Sequence, residues 1–322
     1  MQSQQPLRWG IVGTGLIART FATDLALTDS GVVGAVGSRS QESADRFADS
    51  LGVSTRHSSY ESLVSDPDVD AVYVATPHPM HRDSALLAIQ AGKPVLVEKP
   101  FTMSATQAEE LVAAAAVADV LLMEAMWTRF LPHMAEVRRL LEDGALGEMV
   151  TVTADHGQWF PRDPEFRLFA PELGGGALLD LGVYPISFAS MVLGTPARVV
   201  ALSSPTFTGV DGQTSILMGY EGGAQAVLNC TSSAVSETRA SIVGTEARIE
   251  IDGVWYAPTT FTLIPREGAS VRYDEPHAGH GLRHEADHFA WCLQNGLTES
   301  PLLPLAETVS IMRTMDAVLA SA

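Results

Sequence analysis

The stretch that most narrows the fold lies directly after the first strand-like run. Leu7-Arg8-Trp9-Gly10-Ile11-Val12 reads as an apolar strand, and Gly13-Thr14-Gly15-Leu16-Ile17-Ala18 follows without a break. This is the GxGxxG/A spacing. Gly13 permits a tight turn, Gly15 lets the backbone approach a pyrophosphate, and the small Ala18 lets the next helix pack closely on the strand. That helix, expected to reach Leu27, would aim its N-terminal amides and dipole at phosphate oxygens. Gly13, Thr14, Gly15, Leu16 and Ile17 are therefore candidate dinucleotide contacts.

The second strand, 32–37, ends at the position that selects between cofactors. A carboxylate there holds a ribose 2′-hydroxyl, but here Ser38-Arg39-Ser40 follows and the first acid is Glu42. A hydroxyl beside a guanidinium suits a 2′-phosphate. Ser38 and Arg39 thus point to NADP(H), with NAD(H) as the alternative. The chain then keeps alternating. A helix over 40–51 stops at Gly52, a short helix covers 60–65, and a strand over 70–75 runs into Thr76-Pro77-His78-Pro79-Met80-His81. Thr76, His78 and His81 are expected on the nicotinamide side of the same crevice. A helix over 81–91 leads to a buried strand that closes in Glu98-Lys99-Pro100. Charges at the carboxyl end of a parallel strand face the ligand crevice, so Glu98 and Lys99 join the candidates. Ser104 to Gln107 has the spacing of a capping box, and 120–123 supplies a last strand. Strand–helix alternation over roughly 125 residues is the pattern of a doubly wound parallel sheet.

From there the pattern changes. Residues 124–132 look like a crossover, in which Trp127 and Arg129 are placed to wall a cleft, and 133–142 is amphipathic. Strand-like segments at 150–155, 199–204, 215–220, 224–230, 240–243 and 248–251 imply a large, mostly antiparallel sheet, open on one face. Helices near 282–295 and 305–319 close the chain. The expected fold is α/β: an N-terminal Rossmann domain over 1–126 and a C-terminal α+β domain over 127–322. In the latter, a helix over 174–185 carries Asp180 and Tyr184 on one face, four residues apart. A carboxylate and a phenol among apolar residues are costly to bury without purpose. A phenol exchanges a proton with a substrate hydroxyl when a cation lowers its pKa, and Lys99 is the candidate cation.

Composition excludes several classes. A formal charge of −18 with no basic stripe argues against nucleic acid. The apolar run 111–118 is too short to span a bilayer, and the first residues do not resemble a signal peptide, so cytoplasmic residence is expected. Cys230 and Cys292 form no disulfide framework and read as reduced core residues. His284-Glu285-Ala286-Asp287-His288 matches HExxH, but it lacks a third ligand at a familiar spacing and a protease has no use for a dinucleotide turn. No metal is expected; His280 is placed at the cleft edge.

Together these motifs resemble the glucose-fructose oxidoreductase, inositol dehydrogenase and rhizopine-catabolism (Gfo/Idh/MocA) family. The resemblance rests on 13–18, Ala75-Thr76-Pro77, His81 and Glu98-Lys99-Pro100. Met123 to Phe130, Gly174 to Tyr184 and 299–305 match the branch of dimeric dihydrodiol dehydrogenases and NADP-dependent D-xylose dehydrogenases. The family implies that Lys99 is the catalytic lysine and Tyr184 the proton donor or acceptor, where many relatives have histidine, with Asp180 beside it. It implies that Trp127 and Phe160 help shape the substrate pocket, to which Arg162 and His280 are added as candidate substrate contacts, and that the C-terminal sheet forms a homodimer. The activity implied is an NADP-dependent dehydrogenase or reductase of pyranose sugars or cyclic diols. The rivals are a non-catalytic NADP-binding sensor and a keto-sugar reductase, for instance of 1,5-anhydrofructose.

Overall fold

A run of β-branched and aliphatic residues that alternates with amphipathic helices becomes, in the computed structural model, a six-stranded sheet. The structure describes residues 5–274 and 276–321. The strands are β1 (Leu7–Val12), β2 (Gly31–Gly37), β3 (Thr55–His57), β4 (Ala71–Val74), β5 (Val95–Glu98) and β6 (Leu122–Ala125). Between them lie α1 (Leu16–Leu25), α2 (Gln41–Leu51), α3 (Tyr60–Val64), α4 (His81–Gln90) and α5 (Ala105–Ala118). The order is β3-β2-β1-β4-β5-β6 with every pairing parallel. Strand order reverses between β1 and β4, so the turns that leave those two strands share one crevice. The Ser40 hydroxyl accepts from the Ser43 amide to start α2, and left-handed Gly52 ends it.

The second sheet has eight strands. After α6 (Pro132–Glu142) come β7 (Met149–Gly157), α7 (Val183–Leu193), β8 (Arg198–Pro205), β9 (Asp211–Gly219), β10 (Gln225–Thr231), β11 (Ala240–Gly244), β12 (Ala247–Ile251), β13 (Phe261–Pro265) and β14 (Val271–Tyr273). Their order is β14-β13-β12-β11-β7-β10-β9-β8. Only the central β7–β10 pairing is parallel. Burial alternates along β9 and β10, as it must when one face is covered. The helix α7 covers that face against β7 and β10. The other face is open, with Val200, Leu217 and Val227 exposed and Leu202 76% exposed.

The chain closes with α8 (Arg283–Gln294) and α9 (Leu305–Ser321). Internal contacts divide it differently from a single cut after residue 126. One unit comprises the described residues up to Thr102, Thr106–Trp127 and Ala278–Thr308; the other comprises Met103–Ala105, Thr128–His277 and everything from Val309 on. The helix α8 therefore belongs with the parallel sheet. It packs on α1 and β2, and Phe289 reaches Trp9 (4.9 Å), which in turn meets Phe21, itself stacked on Tyr73. The Asp24 carboxylate accepts from the amides of His280, Gly281 and Leu282 ahead of α8.

Three strands escape the sequence pattern, β3, β13 and β14, and β6 starts two residues later than expected. The helix expected over 174–185 is a π turn, Leu178–Gly182, running into α7. Among the described residues, one helical stretch, Pro171–Leu193, is long and apolar enough to cross a membrane, with mean hydropathy 1.5. Here 78% of that window is buried inside the protein.

Candidate active site

In the first unit, the glycine turn has the geometry that its sequence requires. Gly13 has φ +107°, and a Cβ there would lie 2.5 Å from the Ala75 carbonyl oxygen. Any other residue would push the two crevice turns apart. Around Gly15 nothing lies within 4 Å of an added Cβ, and no side chain caps α1. The amides of its first turn, with Thr14, Leu16 and Ile17, therefore lack the side-chain partner that most helices carry. Across the crevice the Thr76 hydroxyl is buried with no hydrogen-bond partner among the described residues. A glycine cradle, an uncapped helix start and an orphaned hydroxyl fit a dinucleotide. Ser38 is buried at the end of β2, and Arg39 beside it is exposed.

The end of β5 turns out differently from its sequence reading. Glu98 is buried; it accepts from the Tyr73 hydroxyl at 2.5 Å and from the Lys99 amide at 3.1 Å. Its carboxylate braces the strand end from inside, where a cofactor contact was expected. His81 is likewise internal. Its two ring nitrogens meet the carbonyls of Pro100 and Thr76, each at 2.8 Å, tying the two loops together. Burial, with a smaller contribution from the nearby Lys99 cation, pushes this imidazole down to about 4. Lys99 stays half-buried, ahead of a cis bond to Pro100, and His78 stands half-buried at the edge of the His81 ring.

In the second unit, the π turn carries Asp180, and Tyr184 follows it in the first turn of α7. Turns of the π type widen a helix locally and recur at functional sites. Asp211 holds its start, accepting from the Leu178 amide at 2.6 Å. Asp180 is 3% exposed and pairs with Arg167 at 3.0 Å. Tyr184, also buried, stands in a trio of rings: its centroid lies 5.1 Å from His156 and 4.9 Å from Tyr256, while His156 stacks on Tyr256 at 4.1 Å. Gln158 reaches both His156 and the Tyr256 hydroxyl. Beside this lies an aromatic–arginine cluster: Phe160 packs on Phe166, and Arg162 lies over Phe207 at 4.6 Å.

Sequence reasoning missed His156, Gln158, Arg167 and Tyr256. Only Gln158 carried a signal, its place next to the Trp159-Phe160-Pro161-Arg162 loop. The others reach Tyr184 or Asp180 through strand pairing and loop packing. Arg129, expected at a cleft wall, is instead a buried brace that donates to the Ser187 hydroxyl and carbonyl. Trp127 is buried in the first unit. His280 is fixed by its backbone to Asp24, with its side chain 65% exposed. In the HExxH segment Glu285 faces the core and His288 meets the Ser300 hydroxyl at 2.8 Å. Among the described residues no three His, Cys, Asp or Glu gather as a metal site. Cys230 and Cys292 are buried thiols, raised by burial to about 12 and about 11.

Comparison with known proteins agrees with this architecture. Residues 7–126 match the oxidoreductase family, NAD-binding Rossmann fold, of the GFO/IDH/MocA group, and residues 134–250 match the GFO/IDH/MocA C-terminal domain. The chain belongs to the GFO/IDH/MocA oxidoreductase family. It is 39% identical over 325 residues, 97% of either chain, to the trans-1,2-dihydrobenzene-1,2-diol dehydrogenase of Xenopus laevis. Among solved structures, it superposes on the aldose-aldose oxidoreductase of Caulobacter crescentus, complexed with glycerol, with TM-score 0.90 and 28% identity, covering 98% of this chain and 97% of that one. A 3-ketoreductase from Actinomadura kijaniata, complexed with NADP and TDP-benzene, matches with TM-score 0.87 and 28% identity over 98% of both chains. This member of the family is an oxidoreductase with an NAD(P)-binding Rossmann fold.

Proposed function

We propose that this oxidoreductase is an NADP-dependent dehydrogenase that acts on a carbinol of a pyranose sugar or a cyclic diol. The observation that carries the reading is the buried Asp180 of the π turn with the buried Tyr184 four residues on in α7, and Arg167 on the carboxylate. A phenol and a carboxylate placed so are suited to a proton transfer and to orienting a hydroxyl. The names of the Xenopus and Caulobacter relatives, a diol dehydrogenase and an aldose oxidoreductase, support both arms of the substrate class.

Gly13, Gly15 and the first-turn amides of α1 would hold the pyrophosphate, and Ser38 and Arg39 the 2′-phosphate. When bound, the nicotinamide takes up or returns the hydride. As the hydride leaves the carbinol carbon, Tyr184 in its phenolate form would accept the hydroxyl proton, becoming the neutral phenol, and the C–O bond becomes double. The Lys99 ammonium polarises the oxygen and steadies its developing charge. Asp180 orients the substrate hydroxyl. The open face of the second sheet takes a second copy of the chain.

The test follows reduced cofactor with NADP⁺ and with NAD⁺ against D-xylose, D-glucose and cyclic diols, in the wild type, Lys99→Ala and Tyr184→Phe. Each variant is expected to lose about 10²–10⁴-fold in kcat, the usual worth of a positioned acid–base group, while NADP⁺ still binds. Full turnover by Lys99→Ala would sink the assignment. Silence of the wild type across the panel, with NADP⁺ held tightly, favours the sensor or a keto-sugar reductase.

A further inference from the structure

A short segment of the first unit, residues 57–66, brings a hydroxyl, an imidazole and a carboxylate into one line. His57 ends β3, the Ser59 hydroxyl accepts from the Ser62 amide to start α3, and Asp66 follows just past the helix end. The Ser62 hydroxyl lies 2.8 Å from His57 Nδ1, and the Asp66 carboxylate lies 3.0 Å from Nε2 of the same ring. The segment lies outside the glycine turn, and its side chains have no part in the reaction proposed above.

The direction of these bonds follows from the carboxylate. Asp66 Oδ1 accepts from the Asp68 amide at 2.8 Å, and that bond, with the one from His57, holds the carboxyl below its usual range against the cost of burial. A carboxylate only accepts, so Nε2 carries the hydrogen and, in the neutral ring, Nδ1 offers a lone pair. The Ser62 O–H is therefore the donor to Nδ1. The base is also held from behind. The His57 and Asp66 side chains are 15% and 13% exposed, and the Lys93 ammonium donates to the Asp66 carbonyl at 2.9 Å. Ser62 itself is exposed. A solvent-facing hydroxyl on a base that a carboxylate orients is the arrangement of an activated nucleophile. Capping α3 takes only Ser59 and does not call for an imidazole on the Ser62 hydroxyl.

We propose that Ser62 is a modification site, an acyl acceptor for activated carboxylic esters, with His57 as its general base and Asp66 as a positioning residue. Ser62 Oγ adds to the acyl carbon while its proton passes to His57 Nδ1. The bond from that carbon to the leaving oxygen or sulfur then breaks with its electron pair, and the imidazolium returns the proton to the departing phenolate or thiolate. The Ser62 amide is taken by the Ser59 hydroxyl and the Leu63 amide by the Ser59 carbonyl, so neither is offered to the tetrahedral oxyanion. The site therefore takes donors that bring a good leaving group, aryl esters and thioesters. The ester formed on Ser62 has a poorer leaving group and accumulates.

The experiment treats the intact protein with 4-nitrophenyl acetate and follows acetylation of each serine by mass spectrometry of its peptides. Ser65, exposed on the same segment with its hydroxyl on the Glu61 carbonyl, is the internal reference. Ser62 is expected to react about 10²-fold faster or more, the lower worth of a positioned base. In Asp66→Asn the Asp68 amide keeps the new side chain's oxygen, so its NH₂ group faces Nε2, the hydrogen moves to Nδ1 and the base is lost to Ser62. The Ser62 rate should then fall to about that of Ser65. The nitrogen-15 shifts of His57 should report the exchanged tautomer, which a merely structural aspartate would not produce. His57→Gln should lower the Ser62 rate equally. Ser62 and Ser65 reacting alike in the wild type, which needs no variant to fold, overturns the proposal, as does a Ser62 rate unchanged in His57→Gln. Labelling is read at Ser62 and not as turnover of a sugar or diol, so failure of the dehydrogenase reading leaves it untouched.

Discussion

Arg39 stands exposed at the end of β2, its positive charge opposing the burial that pushes the Tyr60 phenol above its usual value. A side chain so placed has one strong use, a fork onto phosphate oxygens. Arg39→Asp would put a carboxylate where a ribose 2′-hydroxyl is held. It should raise KM for NADP⁺ by at least about tenfold, as a lost charge-assisted contact and a new repulsion imply. KM for NAD⁺ should stay level or fall. Initial rates with each cofactor measure this, and equal effects on both would show that Arg39 does not discriminate. Glycines were the most legible single residues, because only Gly13 tolerates its φ and its approach to Ala75. Histidine and glutamate were the least. His81 and Glu98 lie in the motifs that mark the crevice, yet their polar atoms are taken by Pro100, Thr76, Tyr73 and the Lys99 amide. A side chain's type shows what it can bond, and the bond it makes is decided by neighbours up to 25 residues away.

At the scale of elements, α8 carries the least comfortable group of the molecule. Glu285 is fully buried, and neither carboxylate oxygen has a hydrogen-bond partner among the described residues. Burial holds its pKa well above the usual carboxylate value, with Glu98, Asp24 and Glu124 adding repulsion. In the unfolded chain the same group ionises at its ordinary value. Between the two, the native state binds the extra proton, so stability falls as pH rises through that window. Glu285→Gln does not titrate and should remove the slope. Thermal unfolding is expected to show the variant a few degrees above wild type at about pH 8, with the difference shrinking towards about pH 5. A difference that grows towards acid pH would contradict the assignment. The sequence made α8 plain as a helix through its apolar period, and placed Asp180 and Tyr184 on a helical segment. The π turn was not legible, because its ends are held by Asp211 and His156, from β9 and β7. The strands β3 and β14 were missed for another reason: they are three residues long and half-buried or exposed, too short for a period of two to register.

For the molecule as a whole, the eight-stranded sheet leaves an apolar face in solvent, with Leu202, Val200, Leu217 and Val227 exposed. Contiguous apolar surface of this kind marks an association site. A second copy of the chain is the proposed occupant, and Leu202→Glu tests it. Light scattering should find the wild type at twice the monomer mass and the variant shifted to monomer, and a variant that remains dimeric would place the interface elsewhere. The alternation of strands and helices, and the shift to antiparallel strands, were legible from the sequence. The return of residues 278–308 to the first unit was not, since nothing local at residue 277 announces a contact with Asp24 or Trp9. That return bears on how the protein is made. On the ribosome the first 127 residues emerge early, yet the nascent sheet lacks α8, whose Phe289 covers Trp9. It must wait, incompletely covered, through the synthesis of some 150 further residues, roughly ten to thirty seconds at ordinary elongation rates. For this chain the nucleotide-binding unit starts to be translated before the eight-stranded sheet and is completed after it.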